Sequence, residues 1–380
     1  MMDQASRKLL VLRRALPIVG FVAFVFVAPW MLHSLLSPTG YTNGINILIL
    51  GGYSAIGALG LNIIVGYCGL LNLGFAGFML IGAYTAGILM RDFHFSFWLA
   101  MLASVVHGAF WGVVLGLPTL RLTGDYFAIV TFGFGELVNM VARNSVSITG
   151  GPRGFPRVPR PSLWIPGVGH YEFSILGTHR NAYWYLVAAL LGVTMFVAHR
   201  LLRSRLGRAW TALREDEVAA EACGINAMWY KTIAFAISAA IGALAGAFVV
   251  SYFTMADYRN FDFMVSVSVL AYLVLGGMGT VIGPVVGAVV LVALGELLRQ
   301  SPAMYLADVM KWWPEGATWL RGLPWVPDMR MISYGIILVL MIRFRPEGLL
   351  PSGSRRRGLR GTRPRGGAEV STSLFELREQ

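Results

Sequence analysis

Long apolar runs and short polar segments alternate along almost the whole chain. A helix of about 20 apolar residues crosses the roughly 30 Å hydrocarbon core of a bilayer, and most of the runs approach this length. Apolar and polar residues do not alternate within the runs, as they would in the strands of a membrane β-barrel. The pattern therefore predicts an all-α, polytopic membrane bundle. Its roughly ten hydrophobic elements cover residues 16–36, 43–65, 69–89, 97–117, 125–142, 182–199, 232–253, 263–281, 283–300 and 331–343.

Composition supports a membrane protein, and in a membrane protein a positive net charge has a different explanation from that in a soluble one. Hydrophobic residues make up 56% of the 380 residues and charged residues only 13%, which is unusual for a soluble domain. The formal net charge of +12 would suggest a nucleic acid partner for a soluble protein. Here the basic residues fall between the apolar runs, where the positive-inside rule accounts for them. We therefore expect membrane lipids as neighbours and no nucleic acid.

Three basic segments set the predicted topology. Residues 1–15, 200–231 and 344–380 are each rich in arginine or lysine, and all three lie on one side if six spans and then four separate them. The positive-inside rule assigns that side to the cytoplasm, so both termini are predicted to be cytoplasmic. Residues 16–343 then form the transmembrane domain. The composition of the basic tail, 344–380, predicts disorder.

Two longer connections are predicted on the opposite side. Residues 143–181 contain five prolines, which favour an extended, ordered loop over a helix, although their arginines run against the positive-inside rule. Residues 301–330 contain four tryptophans, which are typical of a helix lying at the membrane surface.

Residues 200–231 are too charged to lie in lipid. Good helix formers, acidic residues near the start and Gly224 as a stop predict a short helix from Thr211 to Cys223. It would carry a small-residue face and a charged face. From the residues alone, a docking surface for another protein and an ordinary connector on the membrane surface are equally open.

Two glycine-dense stretches occur in corresponding places of the two halves, at 66–84 and 275–288. Broken apolar segments in such positions indicate a transport path, whereas small residues also serve close packing of helices. Asn72 adds a polar amide to the first stretch. The residues predicted to line a path are Asn72, Gly74, Gly77, Gly276, Gly277 and Gly279.

Glu136 lies within the fifth hydrophobic element. An ionisable residue inside a span costs about 2.5–3.5 kcal/mol on insertion scales and is a functional candidate by default. Contact with substrate or a role in gating is one reading of Glu136. The alternative is an ion pair with Arg143, two helical turns further on.

Several catalytic and metal-binding motifs are absent from the sequence. There is no phosphate-binding loop of the form G-x-x-x-x-G-K-[ST], so any ATP hydrolysis must occur in a partner. No HExxH or CxxC motif is present, and Cys68 and Cys223 are not expected to pair. We predict a chain with no catalytic residues, no metal and no bound cofactor of its own.

Seven blocks in order resemble LivM-type permease subunits of ABC importers for branched-chain amino acids. Together they cover most of the chain from about residue 44 to 349. The blocks are GYCGLLNLGFAGFMLIGAYTA (66–86), RLTGDYFAIVTFGFGE (121–136), GGPRG (150–154), GRAWTALREDEVAAEACGIN (207–226), KTIAFAISAAIGALAGAF (231–248), GGMGTVIGPVVGA (276–288) and RFRPEGLL (343–350).

The resemblance implies a multi-pass permease of the bacterial inner membrane, which imports branched-chain or related small amino acids. It implies a LivH-like sister permease, LivG-like and LivF-like ATPases that use ATP and Mg, and a periplasmic solute-binding protein. The cytoplasmic loop would dock into the ATPases like the EAA loop of importers, although Val218 holds the place of the glutamate. The implied coupling residues are Leu213, Arg214, Glu215, Asp216, Glu217, Ala219, Ala220 and Gly224.

Other functions remain open at this point. A permease of the same architecture for urea or short amides is the nearest alternative. A secondary carrier would work without ATPases, and a membrane-embedded enzyme would need a polar cluster at one depth, for which Glu136, Asp125 and His107 are the available residues.

Overall fold

The computed structural model describes residues 25, 38–119, 125–165, 169–173, 180–299, 335, 336, 339, 340, 343 and 348–350. These residues are mostly helical. The predicted first span, the 301–330 loop, most of the predicted last span and the basic tail lie outside the described residues. The α-helices are α1 Pro38–Leu61, α2 Phe75–Arg91, α3 Phe97–Thr119, α4 Asp125–Asn144, α5 Val146–Thr149, α6 Arg180–Arg203, α7 Arg205–Glu215, α8 Glu217–Ala222, α9 Ala227–Phe253, α10 Phe263–Gly276 and α11 Ile282–Arg299.

Within the described residues, five helical segments are long and apolar enough to cross a membrane: Gly44–Tyr67, Phe97–Thr119, Asn181–Arg203, Ala227–Phe253 and Tyr258–Gly276. Phe75–Arg91 and Ile282–Glu296 are shorter apolar helices. The second to ninth predicted elements each coincide with a described helix. The protein is therefore a polytopic helical membrane protein.

Helix α9 forms the centre of the bundle, where it packs against α1, α2 and α3. Small residues permit the close approach. A Cβ atom added to Gly246 would lie 1.9 Å from the Met79 carbonyl oxygen, and one added to Gly112 would lie 2.9 Å from the Ala236 Cα. Close packing is thus the role of these two glycines, as the small-xxx-small spacing indicated.

Two of the apolar elements are broken, as their glycine content suggested. Helix α2 begins only at Phe75, so residues 68–74 form a non-helical connection after the π-helix Asn62–Tyr67 that continues α1. Helix α10 ends at Gly276 because Gly277 has a φ of +112°, a conformation that glycine adopts without steric cost.

The 143–181 loop is ordered in its described parts but is not purely extended. It contains α5, a short 3-10 turn and three strands: β1 Phe155–Pro156, β2 Ser162–Ile165 and β3 Gly169–Glu172. Strand β1 pairs antiparallel with β4, Met255–Ala256, while β2 and β3 form an antiparallel hairpin. These two small sheets are an addition that the all-α prediction lacked. Their pairing with a distant segment is not visible in local sequence.

The predicted single helix from Thr211 to Cys223 is wrong in one respect. The chain forms two helices, α7 and α8, which meet at Asp216 in an extended conformation, with φ −156° and ψ 112°. The Asp216 carboxylate accepts a hydrogen bond of 3.0 Å from the Ala219 amide and so caps α8. Aspartate is among the best N-cap residues, and here it begins a second helix where a continuous one was expected.

Candidate functional site: the helix pair and the bundle cleft

Helices α7 and α8, here called the helix pair, are anchored to the start of α9. Trp210 is fully buried, and its Nε1 donates a hydrogen bond of 2.8 Å to the Tyr230 carbonyl oxygen. Leu213 and Ala220 are buried at 4% and 6% exposure and pack with Ala227. These contacts fix the helix pair to the bundle. Leu213 and Ala220 were both predicted as coupling residues. They instead pack against the bundle and hold the helix pair in place.

An ion pair adds a second attachment. Lys231 Nζ lies 2.5 Å from Glu217 Oε1, and the Lys231 side chain is only 6% exposed. A buried ammonium group is costly unless it is paired. Glu217 therefore neutralises the buried positive charge of Lys231 at the start of α9. Glu217 is 43% exposed and thus still reaches the surface.

The outer side of the helix pair is open. Val218 is 78% exposed, and Ala219, Ala222 and Cys223 are also exposed. Gly224 follows in the left-handed conformation at φ +83°, with no atom within 4 Å of an added Cβ. The predicted small-residue face is therefore divided, because Ala220 faces the bundle and its neighbours face outward.

Glu215 and Asp216 are exposed, whereas Arg214 reaches inward. The Arg214 Nη1 donates a hydrogen bond to the carbonyl oxygen of Gly66, at the end of the π-helix. Of the eight predicted coupling residues, those with accessible side chains are Glu215, Asp216, Glu217 and Ala219 together with part of Arg214.

A small cleft lies between α2, α4 and the start of α10. It brings together three of the residues predicted to line a path, namely Gly74, Gly77 and Glu136. Asp262, Ser266 and three phenylalanines complete much of its lining: Phe132, Phe261 and Phe263. The cleft combines an apolar wall with few polar groups, as small-molecule sites commonly do.

Asp262 and Glu136 are the exposed acidic groups that line this cleft. Asp262 accepts a hydrogen bond from the Val265 amide at the start of α10, whereas Glu136 lies in the middle of α4. Within the described part of the chain Glu136 forms no ion pair with Arg143 or with any other residue, and no hydrogen bond. The structural alternative from the sequence is thus wrong for this conformation. An unpaired carboxylate within a predicted span is costly, so Glu136 stays a candidate for a functional role.

The backbone amides around the start of α2 are already paired. The Gly74 amide donates to Asn72 Oδ1 at 3.0 Å, the Leu73 amide to Thr131 Oγ1 at 3.2 Å and the Ala76 amide to Ser266 Oγ at 2.9 Å. Asn72, 1% exposed, therefore shapes the loop that begins α2 and does not line the cleft. Ser266 and Asp262 were missed by sequence reasoning, because only the fold brings the start of α10 beside α2.

The second glycine stretch lies elsewhere. Gly276, Gly277 and Gly279 stand at the far end of α10, about 20 Å from the cleft along a helix of this length. The Gly279 amide donates to Asn62 Oδ1 at 3.0 Å, and Asn62 Nδ2 donates to the Thr280 carbonyl oxygen at 2.7 Å. The structure therefore places these three glycines away from the cleft, although Gly279 contacts Gly66 at the start of the first glycine stretch.

Asn62 is a further residue that sequence reasoning missed. It is 1% exposed and lies where α1 changes to the π-helix Asn62–Tyr67. An amide in an otherwise apolar span was the available signal. Among the described residues there is no group of three or more His, Cys, Asp or Glu side chains that could hold a metal ion.

Similarity to known proteins identifies the family. The family profile described as "Branched-chain amino acid transport system / permease component" matches residues 43–342. The chain belongs to this family. No solved structure matches the chain.

Relatives from this family include both LivM and LivH permeases. The chain is 38% identical over 307 residues to the high-affinity branched-chain amino acid transport system permease protein LivM of Escherichia coli (strain K12), an alignment covering 77% of this chain and 66% of that protein. It is 28% identical over 272 residues to LivH of the same strain, covering 67% of this chain and 84% of LivH. A probable LivM of Methanocaldococcus jannaschii is 25% identical over 347 residues, covering 80% of this chain and 92% of the relative.

The chain spans slightly less than two thirds of the length of the bacterial LivM proteins that it matches. The resemblance to LivM-type permeases is confirmed at the level of the family. The match to LivH, at lower identity, indicates that the two kinds of permease share one architecture.

Proposed function

We propose that this chain is a transmembrane subunit of an ABC importer that moves branched-chain or related small amino acids into the cytoplasm. The observation that carries the proposal is the helix pair, which is anchored through Trp210 and Lys231 yet presents Val218, Ala219, Ala222 and Cys223 outward. An anchored, exposed segment that combines these small apolar residues with the acidic Glu215, Asp216 and Glu221 offers a partner protein both apolar and charged contacts. Its partners are two ATPase subunits, LivG-like and LivF-like, which use ATP and Mg.

The proposed topology places the helix pair and both termini in the cytoplasm, with about ten spans in the bacterial inner membrane. The basic residues of the 200–231 segment support the cytoplasmic side. A LivH-like sister permease completes the membrane part, and a periplasmic solute-binding protein delivers the substrate. The LivM and LivH relatives, both named as permease proteins of a high-affinity branched-chain amino acid transport system, support a membrane part with two permeases.

The cleft is the proposed passage for the substrate. Glu136 would accept hydrogen bonds from the ammonium group of an amino acid, a charge-assisted contact stronger than a neutral one. Phe132, Phe261 and Phe263 would contact an aliphatic side chain. Gly74 and Gly77 let α2 approach α4 beside the cleft, because a Cβ at these positions would lie 1.8 Å from the Thr131 carbonyl oxygen and 3.0 Å from the Gly135 Cα.

A permease for urea or short amides is the second candidate. Urea can donate hydrogen bonds to a carboxylate but lacks the positive charge of an ammonium group, so an unpaired Glu136 favours an amino acid. Direct binding of leucine, isoleucine, valine and urea to the partner solute-binding protein would separate the two candidates. Tight binding of urea alone would overturn the amino acid assignment.

Reconstitution tests the importer itself. The purified chain, its sister permease, both ATPases and the solute-binding protein are placed in proteoliposomes, and uptake of radiolabelled leucine is followed with and without ATP. We expect ATP-dependent uptake by the full set and none by this chain alone. Uptake by this chain alone on an ion gradient would instead identify a secondary carrier.

A further inference from the structure

A continuous set of hydrogen bonds connects the helix pair to α10. It starts at Arg214 in α7, whose guanidinium donates to the Gly66 carbonyl oxygen in the π-helix. The same π-helix begins at Asn62, whose side chain holds the turn between α10 and α11 through the Gly279 amide and the Thr280 carbonyl oxygen. Two side chains thus join three segments that are far apart in the sequence.

The contacts at the π-helix leave little room for independent motion. A Cβ atom added to Gly66 would lie 1.9 Å from Asn62 Oδ1 and 2.9 Å from the Gly279 amide nitrogen. On the other side, a Cβ added to Gly69 would lie 3.0 Å from Cγ of Arg214. The turn of α10, the π-helix and the Arg214 side chain are therefore in direct contact, and a shift of one displaces the others.

Helix α10 connects this junction to the cleft. Its last residue, Gly276, lies at the turn that Asn62 holds, while Phe263 and Ser266 near its first turn line the cleft. Ser266 also accepts a hydrogen bond from the Ala76 amide at the start of α2. A helix is stiff over its length of about 20 Å, so a displacement at one end reaches the other.

We propose that Arg214 and Asn62 are positioning residues that transmit the movement of the helix pair through the π-helix to α10 and so to the cleft. A π-helix inside an α-helix is a rare local distortion that is found frequently at functional sites. In this proposal the π-helix Asn62–Tyr67 is the element whose conformation changes when the helix pair moves. The proposal rests on the proposed function, because it requires an ATPase to move the helix pair. The family pattern groups Arg214 with the residues that dock to the ATPases. The proposal gives Arg214 a different role, the transmission of movement.

The test compares uptake with ATP hydrolysis in proteoliposomes that contain the full importer. Arg214→Ala and Asn62→Ala are expected to keep assembly with the ATPases and the thermal stability of the complex. They are expected to lower leucine taken up per ATP hydrolysed by about 2- to 30-fold, the range for residues that carry coupling. The double variant should fall no further than the more severe single variant, because both act in one connection.

One conservative variant and one matched control complete the design. Arg214→Lys keeps a donor for the Gly66 carbonyl and should recover part of the coupling. Arg208→Ala removes another arginine of α7, which is exposed and donates to the Arg203 carbonyl oxygen at 3.3 Å, and should leave coupling at the wild-type value.

Unchanged uptake per ATP in both alanine variants would overturn the proposal. Loss of ATPase association in Arg214→Ala and Arg214→Lys alike would also overturn it, since Arg214 would then act in docking. A wild-type complex that shows no ATP-dependent uptake would instead overturn the proposed function, which keeps the two failures distinct.

Discussion

Lys231 at the start of α9 and Glu217 at the start of α8 form an ion pair of 2.5 Å in which the two side chains differ sharply in exposure. The Lys231 side chain is 6% exposed and the Glu217 side chain 43%. The pair joins the exposed helix α8 to the largely buried helix α9. Through this ion pair, Glu217 helps to hold the start of α8 against α9.

Removing only the carboxylate charge should therefore destabilise the protein. Glu217→Gln leaves the Lys231 ammonium buried without its partner, which we expect to cost about 1–2 kcal/mol because Glu217 is partly solvated. The double variant Glu217→Gln/Lys231→Met removes the buried charge and should recover most of the loss. Thermal unfolding of the detergent-solubilised protein measures both. Equal losses in the single and double variants would contradict this account.

Gly224 ends α8 in the left-handed region. Gly224→Ala should cost about 1–2 kcal/mol, since an L side chain is disfavoured at a φ of +83° even though no neighbouring atom is in the way. Gly224→Asn should cost less, because asparagine tolerates this conformation. We expect weaker co-purification of the ATPases with Gly224→Ala than with Gly224→Asn. Identical behaviour of the two variants would mean that the backbone conformation has no part in docking.

The two cysteines should react very differently with maleimide. Burial raises the pKa of the Cys68 thiol to about 12, so at pH 7.5 almost none of the reactive thiolate is present, while Cys223 is exposed at the end of α8. We expect one label per folded chain, lost in Cys223→Ser and kept in Cys68→Ala. Raising the pH to about 9 should leave Cys68 unlabelled, because this pH is still far below its pKa.

The same label reports on docking. If the ATPases cover the outer side of the helix pair, their presence should slow the labelling of Cys223 in membranes. Labelling at an unchanged rate in the assembled complex would place the docking surface elsewhere.

Glu136 should matter for transport without supporting the fold. Glu136→Gln removes the charge but keeps the size of the side chain, and loss of a charged hydrogen bond to substrate should lower uptake by at least about tenfold. Leu137→Ala changes the next residue of α4, which is 61% exposed and does not line the cleft, and should transport normally. Wild-type uptake by Glu136→Gln would exclude a contact between this carboxylate and the substrate.

Two glycines of the bundle provide a matched pair for packing. Gly246→Ala forces a Cβ to within 1.9 Å of the Met79 carbonyl oxygen and should cost about 3 kcal/mol, whereas nothing lies within 4 Å of a Cβ at Gly133. Gly133→Ala should be neutral or gain about 0.5–1 kcal/mol, because alanine favours the helix. Yield of monodisperse protein and the unfolding temperature compare the two. Comparable effects would contradict the described contact of α2 with α9.

The sequence by itself determined the helices, because run length, hydrophobicity and glycine breaks are local properties. It therefore predicted the second to ninth elements to within a few residues at most ends. The resemblance of seven blocks also identified the family. Glu136 could be selected from the sequence because a charged residue within a long apolar run is visible without knowledge of its neighbours in space.

The tertiary structure decided which groups meet. The inward direction of Arg214, the unpaired state of Glu136 and the position of Gly276, Gly277 and Gly279 away from the cleft all depend on contacts between segments far apart in the chain. Arg214 and Gly66 are 148 positions apart, and Asn62 and Gly279 are 217 apart. No local pattern encodes such pairs, since each is formed only when the bundle has packed around α9.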